Sequence, residues 1–239
     1  MLLLLLESLA HAEEAAPGFT LVEIWAHSGF IARLVILTLM GMMLACFYVG
    51  VERLLAFNRA RKQSVQLATD LARTLQAREI DKALKMCEAE DYKTAYLGGL
   101  LRAGLRELSV RQDRTGLENA QRAVEKAHIE EVAKMKKGMT ILATTGSTAP
   151  FVGLFGTTFG VINAFQGMAS AGAGLASISA GISEALITTG VGIGVAVFGV
   201  WLYNYFNFRT DKVKDELAAS EADFTDWAEK LLQAAQAGK

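Results

Sequence analysis

Residues 138–208 read GMTILATTGSTAPFVGLFGTTFGVINAFQGMASAGAGLASISAGISEALITTGVGIGVAVFGVWLYNYFNF, 71 residues in which Glu184 is the single charged side chain. A helix crosses the hydrocarbon core in about 20 residues, so this stretch is too long for one span and suits two joined by a short turn. A carboxylate held in hydrocarbon costs roughly 2.5–3.5 kcal/mol on insertion scales, and such groups are kept for a pathway or a partner. Glu184 and the hydroxyls at helical spacing around it therefore mark the first place to look for function.

Working outward, the 239-residue chain is 52% hydrophobic and 21% charged, with mean hydropathy +0.28. That balance is too apolar for a soluble domain and too charged for a protein that is all membrane. It predicts an all-α protein of membrane spans plus a sizeable aqueous part. A net charge of −1 gives no bias toward nucleic acid. Cys46 and Cys87 make no disulfide framework, and no metal-ligand spacing surrounds them or the scattered His11, His27 and His128.

Three transmembrane helices are expected, over 30–51, 139–168 and 177–208. The clean part of the first, Leu34 to Val51, is uncharged, and Arg33 at its edge can snorkel toward headgroups. Residues 169–176 form a small-residue turn, so the second and third spans make an antiparallel hairpin. Basic residues flank one side throughout: Arg53, Arg59, Arg61 and Lys62 after the first span, Lys134, Lys136 and Lys137 before the second, and Arg209, Lys212 and Lys214 after the third. The positive-inside rule then places the N-terminus outside, and the 52–138 region and the C-terminal 209–239 helix inside. Residues 1–29 form an outer segment. Its start, MLLLLLESLAHA, lacks a basic n-region and is interrupted by Glu7. We read it as an uncleaved exported segment lying on the membrane surface, a truncated signal peptide being the alternative.

The 52–138 region reads as helices throughout, with stripes at Leu97, Leu100, Leu101, Leu105 and Leu108, and at Leu117, Ala120, Val124, Ala127, Val132 and Met135. Glu131 sits within the second stripe. The last two spans are expected to continue inward as long helices. After Phe208 a stripe of Val213, Leu217, Phe224, Trp227 and Leu231 suits packing on the 52–138 helices or on a neighbouring subunit.

Within the hairpin, small residues advance mostly by threes and fours: Gly153, Gly156, Thr157, Gly160, Ala164 and Gly167, then Gly181, Ala185, Thr189, Gly192, Ala196 and Gly199. Lipid gives helices no hydrophobic push together, so close approach rests on packing across small residues. Two such faces predict an oligomer; self-packing of the hairpin is the competing reading. Thr157, Thr158, Asn163 and Gln166 on one helix, with Ser183, Glu184, Thr188 and Thr189 on the other, add polar groups. A lone hydroxyl often bonds its own i−4 carbonyl, but an acid with Thr188 one turn away and Thr189 beside it says more. Glu184 lies two turns into its span, so an anchor to outer headgroups is its alternative role.

Two motifs, APFVGLFGTTFGVINAF at 149–165 and GISEALITTGVG at 181–192, resemble the MotA/TolQ/ExbB proton-channel family, and within it the ExbB/TolQ branch. The resemblance covers about residues 20–235. It implies a homopentamer of three-span subunits in a bacterial inner membrane, with a periplasmic N-terminus and a cytoplasmic C-terminus. The ring would enclose a dimer of ExbD- or TolR-like single-span partners, with a TonB/TolA-like or gliding-machinery protein beyond it. The proton motive force would move protons past an aspartate on the partner helix. By position, Thr157 and Thr189 resemble the pore-facing threonines and Glu184 the span-three glutamate of a proton pathway. Gly153, Gly156, Gly160, Ala164, Ala185, Thr188, Gly192 and Ala196 would line the pore or pack the helices. Many relatives carry proline where this chain has Ala180, which leaves the start of the third span less defined by the motif.

The residues alone point the same way. A charge crossing the membrane releases about 2.3 kcal/mol per 100 mV, and harvesting it needs a hydroxyl-lined path and a titratable site. One acid per subunit makes a poor relay, so the missing acid is expected on a partner. A partner-independent channel or transporter would favour inverted repeats or broken helices, neither of which is visible. A membrane scaffold would leave Glu184 and the threonines idle. No nucleophile–base pair, cofactor motif or metal cluster can be assembled, so an enzyme is not expected.

Overall fold

The computed structural model describes residues 29–171 and 175–237. The surface segment expected over residues 1–12 lies outside them. Every regular element among the described residues is helical: α1 (Phe30–Gln76), α2 (Ile80–Glu88), a single 3-10 turn (Glu90–Tyr92), α3 (Tyr96–Val110), α4 (Arg114–Met135), α5 (Met139–Ala171) and α6 (Leu175–Ala237). Three of them, α1, α5 and α6, are long and apolar enough to cross a membrane. Around the turn expected over 169–176, α5 is helical to Ala171 and α6 begins at Leu175.

The chain divides into two compact units. Among the described residues, one combines the chain up to residue 42 with 148–196, and the other residues 43–147 with the chain from 197 onward. The first holds a small apolar core of Val35, Leu39, Ala149, Val195 and Ala196, with Met42 and Val152 packed on it. Most of its large side chains point outward: Leu34, Leu37, Phe151, Leu154, Phe155 and Leu186 are all more than half exposed. An apolar exterior around a small-residue interior is the arrangement lipid favours.

The second unit carries the larger core. Leu67 and Leu71 of α1, Leu100, Leu105 and Leu108 of α3, Ala120 and Val124 of α4, and Leu217 and Phe224 of α6 are all buried in it. The stripe after Phe208 thus packs on helices of its own chain. The indole N–H of Trp227 donates to the Leu75 carbonyl at 3.0 Å, and His128 Nδ1 lies 2.8 Å from Glu221 Oε2. The Tyr96 hydroxyl donates to Glu216; burial, then that carboxylate, raises the phenol above its usual range. At the start of α4, Asp113 caps the helix by accepting the Gly116 N–H at 2.8 Å. That bond, ahead of the nearby Arg111, holds the Asp113 carboxyl below its usual value.

Glu131, the acid out of place in the α4 stripe, is buried and paired with Lys134 Nζ at 2.6 Å. Its room comes from Gly99 in the first turn of α3, where an added Cβ would overlap Glu131 Oε1. The positive end of the α3 dipole favours a carboxylate there.

Two expectations need correction. The sequence predicts that the second span runs on from α4 as one helix, but the chain breaks between Met135 and Met139. Gly138 adopts φ +77, a left-handed conformation that glycine enters without a Cβ clash and that ends helices. Only α6 passes unbroken from the span to the C-terminal stripe.

The second correction concerns the small-residue faces as a sign of an oligomer. Most of these residues sit against the facing helix of their own hairpin, so that argument for an oligomer loses its basis. Among the described glycines, Gly41, Gly167, Gly190 and Gly194 are the ones at which an added Cβ meets nothing within 4 Å.

Candidate functional site in the three-helix membrane unit

Backbone proximity organises this unit. A Cβ on Gly153 would fall 2.7 Å from the Thr188 carbonyl oxygen and 3.1 Å from Thr189 Cα. One on Gly192 would fall 2.7 Å from the Ala149 carbonyl oxygen and 3.0 Å from Gly153 Cα. Helices that touch main chain to main chain need hydrogen at these positions. Toward the turn end of the hairpin the spacing widens by one methyl: Gly160 receives Ala185 Cβ, and Gly181 receives Ala164 Cβ, each inside 3 Å of the hypothetical carbon. Ala196 is buried in the core with Val35 and Ala149.

Gly156 is where three helices meet. Thr188 Oγ1 lies 2.6 Å from a hypothetical Cβ there, and Val35 of α1 lies 3.0 Å away. Thr188 is fully buried. Its hydroxyl donates to Ala185 O at 2.7 Å, with Gly153 O at 3.3 Å on the facing helix. With its hydrogen committed inside the interface, Thr188 is a packing residue and lines no open surface.

Thr157 and Thr189 differ. Both are half-buried, and Thr189 Oγ1 donates toward Thr157 Oγ1 across the two helices at 3.5 Å. Thr157 directs its own hydrogen to Leu154 O at 2.8 Å, as Thr158 does at 2.9 Å. A hydroxyl whose hydrogen goes to its own helix keeps lone pairs for another donor. The pair therefore presents acceptor oxygens at an edge of the hairpin. Gly190, next to Thr189 in α6, and Gly194, further along the helix, are exposed, and an added Cβ at either meets nothing within 4 Å.

Glu184 has a partner of which the motifs carry no sign. Its Oε1 accepts the main-chain N–H of Gly29 at 3.0 Å, immediately before α1 begins. Asn163, another polar residue of the hairpin, has its Nδ2 3.9 Å from a Cβ placed on Gly29. A bond between residues 155 apart, one of them a glycine amide, leaves no compositional trace.

The Thr157–Thr189 pair is a hydrogen-bonding station without an ionisable group of its own. It can hold a water or a protonated acid in place, but proton uptake and release at the pair require a group from elsewhere. Among the described residues, no three His, Cys, Asp or Glu side chains converge as metal ligands would.

The model of the MotA/TolQ/ExbB proton channel family matches residues 93–219, which include both motifs and the hairpin. The chain is 31% identical over 193 residues to the Tol-Pal system protein TolQ of Pseudomonas aeruginosa, covering 78% of this chain and 82% of that protein. It is 41% identical over 87 residues to the biopolymer transport protein ExbB of Xanthomonas campestris pv. campestris, covering 36% of this chain and 34% of that one. Over 110 residues it is 30% identical to TolQ of Haemophilus influenzae, 46% of this chain and 48% of that protein.

Proposed function

Since the chain belongs to the ExbB/TolQ branch of the MotA/TolQ/ExbB proton channel family, we propose that it is the ring subunit of a motor driven by the proton motive force. In this reading, copies of the chain, five in number, enclose a dimer of single-span ExbD- or TolR-like partners in the bacterial inner membrane. The N-terminus faces the periplasm, and residues 52–138 and 209–239 face the cytoplasm.

The observation that carries the reading is the Thr157–Thr189 pair, with acceptor oxygens at the hairpin edge and Gly190 open next to Thr189 in α6. A partner helix bearing an acid can approach closely over Gly190 and set its carboxyl against the hydroxyls. The partner acid takes up and releases the proton; the threonines hold the acid and its water in line. Each proton delivers about 2.3 kcal/mol per 100 mV, which moves the ring relative to the partner dimer only if the facing surface is smooth.

The long TolQ match, against the short ExbB one, favours a Tol-Pal-type system over biopolymer import or gliding. Complementation separates them: the chain, expressed with its own partner, should restore a strain lacking TolQ more fully than one lacking ExbB. Proton flux in vesicles carrying chain and partner should need both. Flux from the chain alone would sink the motor reading in favour of a partner-independent channel.

A further inference from the structure

We propose that Glu184 is a positioning residue. It holds the start of α1 against α6 by accepting the Gly29 N–H, and the unit requires its acceptor oxygen rather than exchange of a proton at its carboxyl. The inference builds on the proposed function by assigning Glu184 a place outside the proton-handling step.

Helical bonding in α1 begins at Gly29, whose carbonyl accepts the Arg33 N–H at 3.0 Å. The N–H of such a first residue has no place in the helical ladder, and a Glu or Gln three residues on commonly reaches back to it. Here that position is Ala32, and the first turn of α1 carries no acid. Glu184 of α6 supplies the missing acceptor from 155 residues away. The positive end of the α1 dipole reinforces the bond, and a carboxylate accepting from an amide is among the stronger hydrogen bonds.

This bond closes one end of the junction at which α1, α5 and α6 meet. The next residue, Ala185, seats on Gly160 within 2.8 Å of its hypothetical Cβ. One turn on from Glu184, Thr188 is locked between Gly153 and Gly156, where Val35 of α1 also arrives. Adjacent to Thr188 stands Thr189, at the 3.5 Å limit of a hydrogen bond to Thr157. A small shift of α6 breaks that last bond first. Glu184 thus acts on the hydroxyl pair through the seating of its helix.

The geometry offers a direct test, because the donor is a main-chain group at a glycine. Among the described residues, a Cβ on Gly29 meets only Asn163 Nδ2, at an ordinary 3.9 Å, and the residue lies outside the left-handed region. Gly29→Ala therefore keeps the N–H without a clash, and Gly29→Pro deletes it. Amide exchange of Gly29 should quicken about tenfold in Glu184→Ala, as expected for loss of one such bond, and much less in Glu184→Gln, which retains an acceptor oxygen. In the purified detergent-solubilised chain, Glu184→Ala and Gly29→Pro should each lower the melting temperature, and the double variant no further than the worse single one. In cells with the partner, Glu184→Gln should restore most of the proton-driven function that Glu184→Ala loses, with an unchanged pH profile. Unchanged Gly29 exchange in Glu184→Ala, additive melting shifts, or a Glu184→Gln as impaired as Glu184→Ala would each overturn the proposal. Exchange and melting need no motor to be present, so they test the Glu184–Gly29 bond even if the chain turns out to drive none.

Discussion

Gly153 and Gly192 face each other so closely that a Cβ on Gly192 would stand 3.0 Å from Gly153 Cα and 2.7 Å from the Ala149 carbonyl oxygen. Backbone atoms cannot swing aside as a flexible side chain can. Gly153→Ala and Gly192→Ala should therefore each destabilise the hairpin by about 1–3 kcal/mol, the usual cost of overpacking. Gly190→Ala and Gly194→Ala meet nothing within 4 Å and should leave the melting temperature of the isolated chain unchanged or slightly raised. If the last two nonetheless impair function with the partner present, the open glycines are the surface that the partner approaches. Melting of the four detergent-solubilised variants, beside complementation, gives both answers.

Replacing Thr157 or Thr189 by valine is nearly isosteric and removes one oxygen. Because neither hydroxyl is buried in the core as Thr188 is, assembly should survive and proton-driven function should fall by at least tenfold. Serine at either position should retain function. Wild-type activity in both valine variants would remove the pair from the proton path. Thr188→Val is the contrasting case: it leaves the Gly153 carbonyl without its cross-helix donor, so its effect should appear first in the stability of the chain.

How far these features were legible in the sequence depended on their range. The three spans follow from runs of apolar residues, and Val213, Leu217, Phe224 and Leu231 are buried as their period demanded, because both signals are local. The break after α4 turns on one backbone angle at Gly138, whereas the preceding Lys136 and Lys137 are good helix formers. The destination of the small-residue stripes was also hidden. A glycine face predicts close packing, but whether the neighbour is the next span or the next subunit depends on the hairpin register. The Glu184–Gly29 bond was least legible of all, since a main-chain donor belongs to every residue except proline.

Glu131 supplies a test of the larger unit that is independent of the hairpin. Its carboxylate occupies the space that a side chain on Gly99 would take. Gly99→Ala should push it away from the buried site and cost on the order of 1–3 kcal/mol through overpacking. Glu131→Gln at the native Gly99 keeps the shape and loses the pairing with Lys134. The lysine end of that pair is exposed, so the effect should be smaller. Chemical denaturation of the two variants ranks them; a larger loss in Glu131→Gln would place the stabilisation in the charge instead of the fit.

Cys87, buried in the core of the same unit, has its thiol pushed up to about 12 by burial, with Arg102 opposing. The thiolate is the reactive form, so Cys87 should resist a water-soluble maleimide at about pH 8 in the folded chain and react once denaturant is added. The same displacement sets an alkaline limit. An unfolded cysteine ionises near about pH 8.5, so above that value the unfolded chain gives up a proton that the folded chain keeps. The folded state's advantage is therefore complete below about pH 8.5 and is lost progressively as pH rises toward about 12. Cys87→Ala removes this contribution, at the expense of a small cavity, and should flatten the fall in melting temperature between about pH 9 and about pH 11. An identical alkaline slope in wild type and Cys87→Ala would mean that the thiol is not what responds to base.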